Sequence, residues 1–132
     1  MFLVDTSVWI DIFRDRTGRA RTSFQTLIGD ETIYLSRFTQ MELLQGSRDD
    51  REWTLLKTYL QEQDYIEQVD RSWIDAARIY YDLRRQGLTV RSTIDCCIAQ
   101  VAIDYQLTLV HNDRDFAAIQ QVRSLNCIHF QP

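Results

Sequence analysis

The spacing of apolar positions changes along the chain. Residues 2–4, Phe-Leu-Val, form a short apolar run that stops at Asp5-Thr6-Ser7, after which Val8 with Ile12 and Trp9 with Phe13 recur at helical spacing. A buried strand, a turn and a helix are predicted, with Thr6 or Ser7 as N-cap. A second helix is expected over residues 20–29, ending at Gly29, and a second short strand over 32–35. Ser36 then caps a helix running through Met41, Glu42 and Leu44 until Gly46 stops it. Residues 49–63 and 71–86 read as two further helices, the latter ended by Gly87. Ser92 opens another helix through Tyr105, followed by a strand over 107–110, a short helix from Asp115 and a last strand over 127–130.

Short apolar strands alternating with amphipathic helices predict a parallel sheet covered on both faces, an α/β fold. No repeat, linker or low-complexity tract divides the 132 residues, so one domain over 1–132 is expected. The apolar runs fall far short of the roughly twenty residues a membrane span needs. Asp5, Asp11 and Asp15 interrupt the N-terminal stretch where a secretory leader would be basic and apolar, so a cytoplasmic protein is expected.

Charge narrows the function. Fifteen basic against 19 acidic side chains leave a formal net charge of -4, which excludes holding nucleic acid by bulk electrostatics alone. Lys57 is the only lysine, and all other basic residues are arginines, whose planar fork suits phosphate and carboxylate. Arg14, Arg16, Arg19 and Arg21 form one local cluster and Arg84, Arg85 and Arg91 another, either of them a local anion site or a solvated face. Cys96, Cys97 and Cys127 show no zinc spacing with His111 or His129, and are expected as reduced, small hydrophobes. The two histidines also offer no spacing from which a Ser/His/Asp arrangement can be argued.

The carboxylates are more informative. Ligands of open parallel sheets bind at the carboxyl ends of the strands, which is where Asp5 and Asp113 fall. On the helix from Ser92, Asp95 shares a side with Ile98, Ala99 and Ala102, while Gln100 and Asp104 point away from it. A carboxylate on an apolar stripe is costly unless paired, hydrogen-bonded or metal-bound, although Ser92-Thr93-Ile94-Asp95 also fits a capping box. Glu42 shares a side with Phe38 and Gly46, opposite Arg37 and Gln40, so it either points inward or is an ordinary solvated helix residue. Asp5, Glu42, Asp95 and Asp113, with Asp115 close behind, could therefore meet at one end of the sheet. Such a cluster must protonate in part or be neutralised by a cation, for which a hard divalent ion such as Mg²⁺ or Mn²⁺ is suited. One or two such ions can generate hydroxide for in-line attack on a phosphodiester.

Four blocks of the sequence together resemble a known family. Phe2-Leu3-Val4-Asp5-Thr6-Ser7-Val8-Trp9-Ile10-Asp11, Gln40-Met41-Glu42-Leu43, Ser92-Thr93-Ile94-Asp95 leading into Ile98-Ala99, and Leu109-Val110-His111-Asn112-Asp113-Arg114-Asp115-Phe116 resemble the PIN-domain ribonucleases. Within that family the chain most resembles the VapC toxins of bacterial toxin–antitoxin pairs. The resemblance implies a parallel sheet of about five strands and a Mg²⁺- or Mn²⁺-dependent endoribonuclease. It also implies Asp5, Glu42, Asp95 and Asp113 as catalytic, metal-holding acids. Thr6 corresponds to the hydroxyl residue that helps hold the metal or its water, and Asp115 to an auxiliary ligand or the cap of the helix beginning there. An RNA substrate, a homodimer and a VapB-like antitoxin filling the acidic groove are the implied partners.

Other readings fit less well. A phospho-accepting receiver domain would need a paired acid after the first strand and a lysine near the end, and a D-x-D phosphatase fails at Ser7. A non-catalytic RNA- or protein-binding subunit retaining the PIN fold is the alternative from another class. Trp9 with Phe13, Trp73 with Ala77, and Ile79 with Leu83 are read as i, i+4 pairs of the core or of a dimer face.

Overall fold

A computed structural model describes residues 1–132. Four strands alternate with seven helices in the order β1 (Phe2–Val4), α1 (Thr6–Arg14), α2 (Arg19–Ile28), β2 (Ile33–Tyr34), α3 (Arg37–Gln45), α4 (Asp50–Gln61), α5 (Asp70–Arg85), α6 (Thr93–Asp104), β3 (Thr108–His111), α7 (Asp115–Ile119) and β4 (Cys127–His129). The strands lie in the order β2-β1-β3-β4, all parallel.

Side-chain alternation along these short strands builds the two halves of the core. Leu3 opposes Leu109 in register, and both enter the layer formed with Ala76, Ile79 and Leu83 of α5, Ile98 and Ala102 of α6, and Phe116 and Ile119 of α7. Their neighbours Val4 and Val110 oppose each other one step along and enter the opposite layer, with Val8, Trp9 and Ile12 of α1 and Phe24 and Ile28 of α2. Strands buried on both faces read as continuous apolar runs, which accounts for Phe-Leu-Val and Leu-Val in the sequence.

One expectation needs correction: the sheet has four strands rather than about five. Where a fifth would lie, Tyr65 makes a single parallel bridge to Leu35, with the Leu35 N–H bonded to Asp64 O at 2.9 Å and the Ile66 N–H to Leu35 O at 3.0 Å. Gln100, on the side of α6 away from Asp95, is buried, and its Nε2 donates to Asp104 Oδ1 at 2.8 Å while Ser72 Oγ of α5 donates to Asp104 Oδ2 at 2.5 Å. Helix α6 thus packs against α5, which covers Gln100 and leaves Asp104 exposed at the end of the helix. Trp73 is half exposed, packed edge-on to Phe38 at 6.0 Å, whereas Trp9, Ile79 and Leu83 are core residues.

Candidate active site

The carboxyl ends of β1 and β3 bring the site together. Beyond Val4 the chain continues the ladder by one bond, from the Asp5 N–H to Val110 O at 2.9 Å, and then turns into α1. Asp5 itself is the N-cap, in place of Thr6 or Ser7: its Oδ2 accepts from the Ser7 N–H at 3.1 Å and from Ser7 Oγ at 2.6 Å. Ser7 Oγ in turn accepts the Asn112 N–H at 2.8 Å, which ties the end of β1 to the end of β3. Asn112 extends this network through its Nδ2 to Asp11 Oδ2 at 2.7 Å and through its Oδ1 to His129 Nε2 at 2.8 Å. Burial drives the Asp5 carboxyl up to about 6, against the lowering effect of the two Ser7 bonds and with help from the Glu42 and Asp113 charges.

Thr6, the first helical residue, aims its hydroxyl across to α3. Thr6 Oγ1 donates to Glu42 Oε1 at 2.9 Å and lies 3.0 Å from Thr39 Oγ1. Ser36 caps α3 as expected, its Oγ accepting from the Thr39 N–H at 3.1 Å. Glu42 is therefore half-buried and turned inward rather than solvated.

On the other side of the site, Asp95, Asp113 and Asp115 each offer a carboxylate oxygen, all within 4.8 Å of one another. Asp95 does not complete a capping box. Ser92 Oγ caps α6 through the Ile94 N–H at 3.1 Å, and the Asp95 side chain instead lies beside Asp115. Burial raises the Asp95 carboxyl to about 8, reinforced by a proton shared with Asp115 and by the charges of Asp113, Asp5 and Asp115. Burial of Asp115 opposes its ionisation, but the Arg91 N–H, the Asp95 proton and the Arg91 guanidinium outweigh it and hold the carboxyl below its ordinary range. Asp115 is also not the cap of α7. Asp113 Oδ1 accepts the Asp115 N–H at 2.9 Å, freeing Asp115 to face the other acids.

The structure thus places all five predicted acids at one end of the sheet, but unevenly. The tightest grouping contains Asp115 in place of Asp5 and Glu42, while Glu42 lies across the site in contact with Thr6. Arg91, close to Arg84 and Arg85 in sequence, is bound at the acids: Nη2 lies 2.7 Å from Asp113 Oδ1 and Nε 3.2 Å from Asp115 Oδ2. The available signal was a cation directly before the N-cap of the helix that carries Asp95. His111 is buried, accepts the Asp113 N–H at its Nδ1 at 3.2 Å, and stacks on His129 with ring centres 5.4 Å apart. Burial, then the neighbouring His129, lowers His111 to about 4, so it is neutral at pH 7. All three cysteines are free thiols, and burial raises Cys96 to about 12 and Cys127 to about 11, so neither supplies a thiolate.

The profile of the PIN domain family matches residues 2–122. The chain belongs to the PIN-domain family. It is 34% identical over 134 residues to the VapC ribonuclease Mb1587 of Mycobacterium bovis, covering 99% of this chain and 100% of the relative. The same identity and coverage hold for ribonuclease VapC11 of Mycobacterium tuberculosis, so within the PIN family the chain belongs to the VapC group. The crystal structure of VapBC2 from Rickettsia felis, bound to a DNA fragment from their promoter, shares the fold with a TM-score of 0.78, covering 96% of each chain at 19% identity. No helix of this PIN domain is long and apolar enough to cross a membrane.

Proposed function

We propose that this PIN-domain protein is an endoribonuclease toxin that hydrolyses RNA phosphodiester bonds with a divalent cation, Mg²⁺ or Mn²⁺, and is held inactive by a VapB-like antitoxin. The observation that carries the reading is the convergence of Asp95, Asp113 and Asp115 within 4.8 Å at the carboxyl ends of the strands, in a chain 34% identical to VapC ribonucleases. The donors fit the ion. All are hard carboxylate oxygens, and no thiolate or imidazole joins them. When bound, a divalent cation would lower the pKa of water and stabilise charge on the phosphate oxygens.

The side chains divide the work around that ion. Asp5, Asp95, Asp113 and Glu42 are the residues we assign to hold it, with Asp115 as an auxiliary acid. Ser7 fixes Asp5 by two hydrogen bonds, and Thr6 acts through Glu42 as a positioning residue, since its hydroxyl donates there. The neutral, buried His111 leaves proton transfer to the carboxylates and to water. The acidic floor suits a cationic segment of an antitoxin as an inhibitor. Beside it, Met41 lies between two grooves of the α3 surface, one closed by Trp53 and the other by Trp73, which offer apolar area to that partner or to a second copy of the chain.

Cleavage of total cellular RNA by the purified, antitoxin-free protein tests the reading, with Mg²⁺, with Mn²⁺ and with EDTA, beside Asp95→Asn. Discrete fragments that need metal and vanish in the variant are expected. Cleavage that survives EDTA and the substitution overturns the assignment, and a folded protein that binds RNA without cutting it would instead support a binding subunit.

A further inference from the structure

Arg91 is bound to the acidic cluster in a way that separates the two oxygens of each carboxylate. Asp113 Oδ1 receives Arg91 Nη2 at 2.7 Å and the Asp115 N–H at 2.9 Å. Asp115 Oδ2 receives the Arg91 backbone N–H at 3.1 Å and Arg91 Nε at 3.2 Å. Each of these oxygens thus has two donors. Apart from the proton that Asp95 shares with Asp115, no donor reaches Asp113 Oδ2 or Asp115 Oδ1, so the guanidinium leaves one oxygen of each carboxylate clear.

The clamp also has a fixed origin. Arg91 precedes Ser92, the N-cap of α6, so the segment that grips Asp113 and Asp115 leads directly into the first turn carrying Asp95. One backbone stretch thereby sets the distance between the third acid and the other two. The guanidinium side chain is 68% exposed, whereas Asp113 and Asp115 are 16% and 7% exposed, so the cation bears on the pair from its solvent side. A planar fork can reach two carboxylates at once in a set geometry, which the point charge of a lysine does not reproduce.

We propose that Arg91 is a positioning residue that occupies one oxygen of Asp113 and one of Asp115 and so presents their remaining oxygens, with Asp95, as a ready donor set for a divalent cation. The inference rests on the metal-dependent reading above. It makes Arg91 an organiser of the ion site rather than a cation that competes for it. Partners of this kind, bonded to the groups that hold a metal, typically carry about 10–100-fold in affinity.

The test is calorimetric titration of the full-length protein with Mn²⁺ alone, without RNA, for wild type, Arg91→Ala, Arg91→Gln and Arg91→Lys, with thermal unfolding of each metal-free protein alongside. Arg91→Ala and Arg91→Gln are expected to weaken Mn²⁺ binding by about 10–100-fold, while Arg91→Lys recovers only part of that loss because charge returns without the fork. The metal-free unfolding midpoints should stay within a few degrees of wild type. Mn²⁺ binding that is unchanged or tighter in Arg91→Ala overturns the inference and makes Arg91 a competing cation. Full recovery in Arg91→Lys overturns it too, leaving only a charge effect. Failure of the wild type itself to bind Mn²⁺ would remove the metal reading beneath it, an outcome distinct from either.

Discussion

The two sides of the site are held by different physics. Asp5 and Glu42 are fixed by neutral donors: the Ser7 hydroxyl and N–H on one, the Thr6 hydroxyl on the other. Asp113 and Asp115 are fixed by a guanidinium, and Asp95 faces them with a carboxylate oxygen within 4.8 Å of theirs. Hydroxyls orient a carboxylate without cancelling its charge, so their geometry is largely indifferent to salt, although Asp5 itself still titrates near 6. The ionic side balances charge against charge, and its arrangement changes whenever a proton or a cation does. Folding sets the geometry of the first side, whereas salt and added cations continue to act on the second.

The largest effect that sharpens this contrast is on chemistry. Asp95→Asn, Asp113→Asn, Asp5→Asn and Glu42→Gln are each expected to reduce RNA cleavage by more than about 100-fold, beyond what outer partners typically contribute. Fragment formation under single-turnover conditions measures it. If Glu42→Gln kept most of the activity, the hydroxyl-held side would be scaffold only.

The next effect is on pH. Asp5, raised to about 6, and Asp95, raised to about 8, must both lose protons before a cation can be held. Mn²⁺ affinity should therefore climb between pH 6 and pH 8, by up to about tenfold per unit where a single proton is displaced. Asp95→Asn should flatten the upper part of that rise in whatever binding it retains, and a rise that is unaltered would assign the upper titration to another group.

Metal-free stability should move in the opposite sense. Folded Asp95 titrates near 8 against an ordinary 3.8, so between those values the folded state keeps a proton that the unfolded chain has lost. Its contribution is full below about pH 4 and disappears as pH rises through about 8. Asp95→Asn should raise the unfolding midpoint at pH 8.5 by a few degrees, on the order of 1 kcal/mol once solvent screening is allowed for, and leave it nearly unchanged at pH 4. Calorimetric scans of the two proteins at both pH values decide it. The smallest effect belongs to the neutral side: Thr6→Val should cost about 1 kcal/mol with little dependence on salt, read by denaturant unfolding at low and high ionic strength.

How much of this the sequence reveals follows the same division. Period and strand ends suffice to bring Asp5, Asp95 and Asp113 together, because each position is dictated by its own element. The inward turn of Asp95 is legible from Ile98, Ala99 and Ala102 alone. Arg91 is not, since its partners lie 22 and 24 residues away in the chain and a loop residue has no period to orient it. Asp115 is ambiguous for a related reason: the N–H that its own carboxylate could have capped is replaced by one that Asp113 accepts. The burial of Gln100 is not legible, because helical periodicity separates polar from apolar sides but cannot say that a second helix, α5, covers part of the polar one. Asp5 as both site acid and N-cap shows one carboxylate serving two demands, which a search for a separate Thr or Ser cap overlooks.

The bridge at Tyr65 has a consequence for how the molecule behaves in company. A parallel sheet ending at β2 would present an open edge, the usual template for adding a strand from another chain. Tyr65 occupies the edge position at Leu35, its hydroxyl anchored to Leu60 O at 2.7 Å and its ring covered by the Arg37 guanidinium at 3.9 Å, which Glu67 pairs in turn. One paired residue under a charged cover blocks strand addition there at far less chain length than a fifth strand would take. Such a cover works against pairing with another chain at that one position of the sheet edge.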